Sequence, residues 1–130
     1  MRDDNGNDVL FGNVGADTLI RSNSIDNLNG GAGDDYINGG RSKDILPGGD
    51  GADIFSFSYG DGWRDVVTDF DITEDLIDLS NTNIQKFEEL DDRIHEEEEG
   101  NINTVLNYFE DSMILMGVTM AQLTAGAFLF

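Results

Sequence analysis

From Asp3 to Ser56 the chain repeats every nine residues, and this period constrains the fold more than any other property. In blocks of nine it reads DDNGNDVLF, GNVGADTLI, RSNSIDNLN, GGAGDDYIN, GGRSKDILP and GGDGADIFS, without insertion or deletion. The sixth position is always aspartate: Asp8, Asp17, Asp26, Asp35, Asp44 and Asp53. The eighth is always apolar: Leu10, Leu19, Leu28, Ile37, Leu46 and Phe55. Chance agreement at all of these positions is roughly one in ten million before the choice of register. A fixed short period marks a repeat architecture, so it is settled before any single element is assigned.

Charge narrows the partners. Seven Lys and Arg stand against 27 Asp and Glu, for a net charge of −20 over 130 residues. Such a chain is repelled by polyanions, which excludes nucleic acid and an anionic membrane surface as its main partner. It also repels itself when compact, so folding requires a neutralising cation. Hydrophobic residues make up only 38%, so an apolar core is not expected to carry the fold alone. There is no cysteine, hence neither a disulfide nor a thiolate metal site. The longest apolar run, Met113 to Met116, is far too short for a membrane span. The polar start Met1-Arg2-Asp3-Asp4 is not a signal peptide. Because the sequence opens part-way into the repeat array, it is expected to be the carboxyl end of a longer protein.

The blocks GGAGDDYIN (Gly30 to Asn38) and GGDGADIFS (Gly48 to Ser56) match every defined position of the G-G-x-G-x-D-x-U-x motif. The pattern therefore resembles the RTX (repeats-in-toxin, haemolysin-type calcium-binding) family. That resemblance implies an all-β fold, a parallel β-roll followed by a β-rich cap. Positions one to six of each block would turn around Ca²⁺, and seven to nine would form a short strand. The chemistry is consistent. Glycine lets the turn backbone enter positive φ and gathers its carbonyls. Aspartate offers a short, hard oxygen anion, and Ca²⁺ takes six to eight oxygens at about 2.3–2.6 Å. Position eight faces inward, because alternate strand residues point to opposite faces. Two blocks complete one coil, so six blocks give three coils and a core roughly 14 Å long at about 4.8 Å per strand step.

Every second turn lies on the same side of such a roll, and the two sides differ in sequence. The even turns read GNVGAD, GGAGDD and GGDGAD; the odd turns read DDNGND, RSNSID and GGRSKD. Ser24 and Ser42 replace the position-four glycine on the odd side, and Arg21, Arg41 and Lys43 all fall there. Two calcium sites are expected on the even side, one between Asp17 and Asp35 and one between Asp35 and Asp53. The resemblance implies that turn carbonyls join these aspartates, here from the stretches containing Gly12 and Gly15, Gly30, Gly31 and Gly33, and Gly48, Gly49 and Gly51. Asp8, Asp26 and Asp44 form a weaker odd set in which the bases neutralise acids.

Magnitudes make the array a folding switch. Two carboxylates about 5 Å apart repel by roughly 3 kcal/mol at an effective dielectric of 20, so stacked aspartates oppose folding without metal. At a calcium concentration about ten times Kd each site returns roughly 1.4 kcal/mol. Sites with a Kd near about 10⁻⁴ M stay empty in cytosol and fill outside the cell.

The period breaks after Phe57, which sets expected regions of 1–57 for the roll and 58–130 for the cap. Residues 58–62 read as a loop, Asp65–Phe70 and Leu76–Ser80 as strands flanking an Asp71–Asp75 turn, and Lys86–Arg93 as a short helix. Asp69-Phe70 followed by Asp75-Leu76-Ile77-Asp78-Leu79-Ser80 resembles the run that caps the roll in serralysin-type secreted proteins. Asp65 is a further candidate ligand against the last odd turn. An EF-hand at Asp69–Ser80 is rejected: Glu74 stands where glycine is needed, and Ser80 where a bidentate glutamate is needed. The only histidine, His95, precedes the acidic run Glu96–Glu99, read as a solvated edge; a second histidine for a zinc-protease helix is missing. Ile102–Tyr108 and Met113–Val118 read as a hairpin, and Thr119 with Gln122 as a capping box. The final Phe128-Leu129-Phe130 resembles the uncleaved carboxyl-terminal signals of type I secretion substrates.

The sequence thus leads to a secreted, non-catalytic calcium-binding module that folds on meeting extracellular Ca²⁺ and works with a type I secretion apparatus. An alternative is a polysaccharide-binding module like the R-modules of alginate epimerases, with Arg21, Arg41, Lys43, Trp63 and Arg64 as its only cationic and aromatic candidates.

Overall fold

The computed structural model describes residues 6–21, 23–57, 63–98 and 102–130; the loop expected at 58–62 and Glu99 lie outside them. The last three positions of each block contribute a short strand to one of two facing sheets, and the sixth block adds a second strand at its start. The strands are β1 (Val9–Val14), β2 (Thr18–Ile20), β3 (Asn27–Ala32), β4 (Tyr36–Asn38), β5 (Ile45–Leu46), β6 (Gly49–Asp50) and β7 (Ile54–Ser56). After the repeats come β8 (Arg64–Val67), β9 (Leu76–Asp78), β10 (Ile94–Glu98), β11 (Ile102–Tyr108), β12 (Asp111–Met116) and β13 (Phe128–Leu129). One sheet runs β1-β3-β5-β8-β12-β11-β10, with β6 also paired to β3; the other runs β2-β4-β7-β9-β13. At positions seven to nine, odd blocks feed the first sheet and even blocks the second, while the even turns also join the first sheet through Asn13–Val14, Gly31–Ala32 and Gly49–Asp50; all these pairings are parallel. This is a parallel β-roll.

Position eight of every block points between the sheets. Leu10 lies beside Leu28, and Leu46 beside Val67, which in turn pairs with Leu115. Opposite them run Leu19, Ile37, Phe55, Ile77 and Phe128. All ten are buried. Two single-file columns of this kind, at about 1.5–3 kcal/mol per side chain, form a narrow core.

Parallel stacking continues past Phe57, where the nonapeptide period ends. The strands after the repeats flank the expected turn, where Asp75 N–H donates to the carbonyl of Asp71 at 2.9 Å, and they lie in different sheets. β8 stacks on β5 and β9 on β7, adding a fourth coil. β12 and β13 then stack on β8 and β9. The expected hairpin forms between β11 and β12 in antiparallel register, and β10 completes it as the sheet edge. Placing His95, Glu96 and Glu97 on that edge lets their charges reach water. The expected helix at Lys86–Arg93 is a short 3₁₀ turn, Phe87–Leu90. The backbone N–H of Thr119 donates to Gln122 Oε1 at 2.8 Å, one half of the capping box. Phe87 meets Phe128, and Phe57 meets Tyr108, sealing the far end of the roll. Among the described residues no helix is long and apolar enough to cross a membrane.

Candidate metal centre

The position-six aspartates form two ladders, one beside each sheet. On the even side the backbone N–H of Asp17 donates to Asp35 Oδ1 at 2.8 Å, and that of Asp35 to Asp53 Oδ1 at 2.9 Å. On the odd side Asp8 N–H donates to Asp26 Oδ1 and Asp26 N–H to Asp44 Oδ1, both at 2.8 Å. Aspartate is the residue for this task because its side chain is short enough to meet the backbone of the adjoining coil, one strand spacing away. The bond ties up one carboxylate oxygen and leaves the other. The Oδ2 atoms of Asp26, Asp35, Asp44 and Asp53 are buried with no hydrogen-bond partner. An unpartnered buried polar atom is expensive, and an anionic one more so.

The unpartnered oxygens of Asp35, Asp44 and Asp53 each face the first glycine of their own turn, whereas the turn of Asp26 has Arg21 at that position. A methyl group on Gly30 would strike both Asp35 Oδ2 and the carbonyl of Gly48; one on Gly12 would strike the carbonyl of Gly30, with Asp17 Oδ2 3.0 Å away. The same space over Gly48 is bounded by Asp53 Oδ2, and over Gly39 by Asp44 Oδ2. These cradles are too small for a side chain; carboxylate and carbonyl oxygen line those over Gly12 and Gly30, Asp44 that over Gly39, and Asp53 Oδ2 with the Phe55 ring that over Gly48. Further along the turn, Gly33 at φ +126° rests on the carbonyl of Gly15, a position where any side chain would collide. Among the described residues no three Asp, Glu or His side chains converge into a cage. The donor set is instead one carboxylate per turn with main-chain carbonyls, which suits a hard cation that accepts neutral oxygen. The residues therefore fit Ca²⁺.

Burial and crowding raise the proton affinity of the ladder. Burial pushes Asp44 up to about 8, against the hydrogen bond with Asp26 and with help from the charges of Asp65 and Asp26. Asp53 is pushed up to about 6, again mainly by burial, with repulsion from Asp75, Asp35 and Asp69. Asp35 is also raised, by burial first and then by Asp17 and Asp34. Carboxylates held this way bind a proton or a cation more readily than free ones.

On the even side Asp17, Asp35 and Asp53 stand in one ladder with Gly12, Gly30 and Gly48 against their Oδ2 atoms, while Gly31, Gly33, Gly49 and Gly51 rest on the backbone of the adjoining turn. The structure changes the physical basis of the contrast with the odd side. Ser24 and Ser42 adopt φ of 87° and 96°, in the left-handed region occupied by the glycines they replace, so the odd turns keep the same course. Each serine hydroxyl accepts a backbone N–H from the preceding odd turn, Gly6 to Ser24 and Ser24 to Ser42. The difference lies at Arg21, which occupies position one where the even turns have glycine. It is 5% exposed, and its Nη1 lies 3.4 Å from Asp8 Oδ2. A guanidinium thus stands in the first odd cradle. Arg41 and Lys43 are exposed.

Beyond the repeats both ladders go on. Asp44 N–H donates to Asp65 Oδ1 at 3.0 Å, and Asp53 N–H to Asp75 Oδ1 at 2.9 Å. Burial holds Asp65 up to about 7, opposed by its bond with Asp44 and reinforced by Asp111. Asp75 went unassigned in the sequence reading. A signal existed: Asp65-Val66-Val67 and Asp75-Leu76-Ile77 repeat the Asp-x-apolar triplet of every block. Their offsets from the previous coil are 21 and 22 residues instead of 18; Asp65 was a candidate against the last odd turn, whereas Asp75 is hidden from a search at a fixed period.

The model of the RTX calcium-binding nonapeptide repeat matches residues 1–23 and 21–55, in four copies. The AlgE6R3 subunit of the Azotobacter vinelandii mannuronan C5-epimerase superposes on 95% of this chain and 78% of its own, with a TM-score of 0.71 at 26% identity. The AlgE6R2 subunit of that epimerase covers 94% of this chain and 91% of its own, with a TM-score of 0.62 at 24% identity. The extracellular lipase LipA of Serratia marcescens matches 94% of this chain with a fifth (20%) of its own, at a TM-score of 0.57 and 22% identity. The sequence matches no curated protein.

Proposed function

The repeat half of the chain belongs to the RTX calcium-binding nonapeptide-repeat family, and from that premise we propose that the module folds on binding extracellular Ca²⁺ and supports the secretion and stability of a larger extracellular protein. The observation that carries this reading is the file of buried, unpartnered aspartate oxygens. Asp17, Asp35 and Asp53 with the turn carbonyls of Gly30 and Gly48 are the main ligands; Asp26, Asp44 and Asp65 form a second set, and Asp8 is neutralised by Arg21. When bound, the divalent cation supplies the positive charge that these oxygens lack. The residues do the rest: the N–H-to-Oδ1 bonds set the coil spacing, and position-eight side chains exclude water from between the sheets.

Residues 1–57 would be the metal-dependent part, and 58–130 the part that closes it and carries the exit signal for a type I apparatus. The resemblance of Phe128-Leu129-Phe130 to such signals supports that role, and any catalytic domain would lie outside this chain. The test is circular dichroism during calcium titration from a chelated start. The reading requires a cooperative gain of β-structure in the millimolar range or below; a chain equally ordered in chelator defeats it.

A second reading, polysaccharide binding, draws support from the likeness to an R subunit of a mannuronan epimerase. Two of its five candidates are engaged elsewhere: Arg21 is buried beside Asp8, and Arg64 pairs with Glu97. Calorimetry with mannuronan oligomers at low salt decides it, since absence of heat removes this reading.

A further inference from the structure

Away from the repeats, the cap forms a cleft of about 360 Å³ lined by Asn83, Ile84, Glu89, Arg93, Tyr108 and Phe109. That volume lies in the lower part of the range of about 300–1,000 Å³ typical of small-molecule sites. Three segments build it. The 3₁₀ turn Phe87–Leu90 carries Glu89, whose Oε2 accepts Gln85 N–H at 3.0 Å. Arg93 follows: its backbone N–H donates to the carbonyl of Leu90, and its carbonyl accepts Asn107 N–H, both at 2.8 Å. Its guanidinium stands over the Tyr108 ring, 5.2 Å from the centroid. Tyr108 is buried, and its hydroxyl oxygen accepts Asn83 N–H at 3.1 Å, which ties the third wall, Asn83 and Ile84, to the end of the hairpin.

Two features of the cleft go beyond what packing requires. The first is charge. Arg93 and Glu89 line one small space, yet among the described residues neither forms an ion pair. In a chain with 27 acids and seven bases, a guanidinium left without a carboxylate is unexpected. The second is Phe109. β11 and β12 pair up to Tyr108 and Asp111, so Phe109 and Glu110 make the two-residue turn between them. Phe109 has φ 56° at the first turn position, where glycine, asparagine or aspartate ordinarily stands. It is 75% exposed and meets the Tyr108 ring edge to face at 4.7 Å. The hairpin thus holds a strained aromatic residue at the rim of a cleft, and strain retained beside a cleft points to a ligand.

We propose that this cleft binds a small zwitterion with an apolar ring, the chemistry of a free aromatic amino acid. Arg93 takes the carboxylate, Glu89 the ammonium group, and Phe109 the ring. A plain carboxylate would meet Glu89 and the field of a molecule of net charge −20, both repulsive. A plain cation would meet Arg93. A molecule with both charges satisfies each side chain, and its zero net charge escapes the long-range repulsion. The guanidinium suits a carboxylate by its planar pair of donors, and an exposed aromatic face gains most from another apolar ring. In a peptide the two charges sit at opposite ends, whereas a free amino acid carries both on one carbon, as a cleft this small requires. The site shares no residue with the aspartate ladders and does not rest on the calcium reading.

The test titrates the full chain, in calcium, with phenylalanine, read by calorimetry and by amide chemical shifts at 83–93 and 108–109. The proposal expects one molecule bound per chain in the millimolar range or below. N-acetylphenylalanine, which lacks the ammonium group, and phenylalaninamide, which lacks the carboxylate, should each bind about tenfold or more weakly. Arg93→Gln and Glu89→Gln should each weaken phenylalanine binding by about the same factor. Phe109→Gly should raise the melting temperature by relieving the turn, and weaken binding. Neither heat nor shifts with phenylalanine overturns the proposal. So do blocked derivatives that bind as well as phenylalanine, or binding that survives both charge variants. A Phe109→Gly chain that loses stability and binds as before marks a packing residue and overturns the site as assigned. Should Arg93→Gln fail to fold, Glu89→Gln at an exposed position decides with the same ligands.

Discussion

Asp35→Asn separates metal cohesion from ordinary packing better than any other single change. Asp35 is 2% exposed; its Oδ1 accepts the Asp17 N–H at 2.8 Å, while its Oδ2 has no donor. Asparagine keeps the first contact and exchanges the anionic oxygen for an amide NH₂, which cannot ligate a cation. Two cradles share this residue, toward Asp17 and toward Asp53. With a Kd of about 10⁻⁴ M and calcium at about a hundred times that, one filled site stabilises the fold by about 2.7 kcal/mol. Losing both removes about 5 kcal/mol, which reaches the lower end of whole-domain stabilities of about 5–15 kcal/mol. In chelator the sign reverses. Burial and the charges of Asp17 and Asp34 hold the Asp35 carboxyl above its usual range, so a neutral residue relieves the metal-free fold. Urea unfolding followed by circular dichroism, repeated over a hundredfold range of calcium, reads both effects. Stability rises by about 1.4 kcal/mol per tenfold calcium for each ion taken up, and the variant's slope should fall by one to two ions. Equal destabilisation with and without calcium would refute the reasoning, because it would make Asp35 a packing residue.

Gly30→Ala drives a methyl into the cradle against Asp35 Oδ2 and the Gly48 carbonyl; the calcium midpoint should rise at least tenfold, whereas Gly126→Ala, whose methyl meets only Thr124 Oγ1 at 3.5 Å, should leave it unchanged. Arg21→Gly restores at block three the glycine found at Gly39 and removes the guanidinium beside Asp8, so the chain should bind one more calcium by metal analysis and lose order in chelator. Proton linkage gives a sign that depends on metal. Asp44, Asp65 and Asp53 sit at about 8, 7 and 6, against about 3.9 when unfolded, so their contribution to the metal-free fold is full below about pH 4 and disappears as pH rises through 6 to 8. In chelator, circular dichroism should show order gained as pH falls through that window; in calcium the same protons compete for the ligands, and the calcium midpoint should rise.

The nonapeptide period made the inside of the roll legible from residues alone. Once Asp occupied position six and an apolar residue position eight, the columns Leu10-Leu28-Leu46 and Leu19-Ile37-Phe55 followed, because an 18-residue coil returns each block to the same sheet. The odd turns were harder to read. Serine at Ser24 and Ser42 suggests a broken turn on conformational preference, yet the stack around it fixes the backbone at positive φ and a hydroxyl-to-amide bond compensates part of the strain. Stacking, which is tertiary, overrode the local preference. Asp65 was a candidate from the sequence; the continuation through Asp75 was hidden for another reason. Small insertions in the turns leave strand pairing unaffected, since β8 and β9 meet β5 and β7 through the triplet after the aspartate and not through the turn before it. Only the triplet is constrained, and a fixed window does not isolate it.

The ladders have a direction, and this direction explains why the second half of the chain is built as it is. In each step the backbone N–H of one aspartate is satisfied by the carboxylate one coil toward the carboxyl end. A repeat array therefore always finishes with donors that another nonapeptide would have met. Ending the array with an apolar lid alone would bury Asp44 N–H, Asp53 N–H and the amides of Gly48 and Gly49 without acceptors, at about 1–3 kcal/mol apiece. Asp65, Asp75 and Asp69 supply those acceptors, and Asp111 does the same for Trp63 one layer further out. Each acceptor is a carboxylate, so satisfying these five donors brings four acidic side chains to the far end of an already acidic roll. Termination by hydrogen bonding thus gathers acidic side chains at the far end of the roll: the residues that allow the repeats to stop are themselves aspartates.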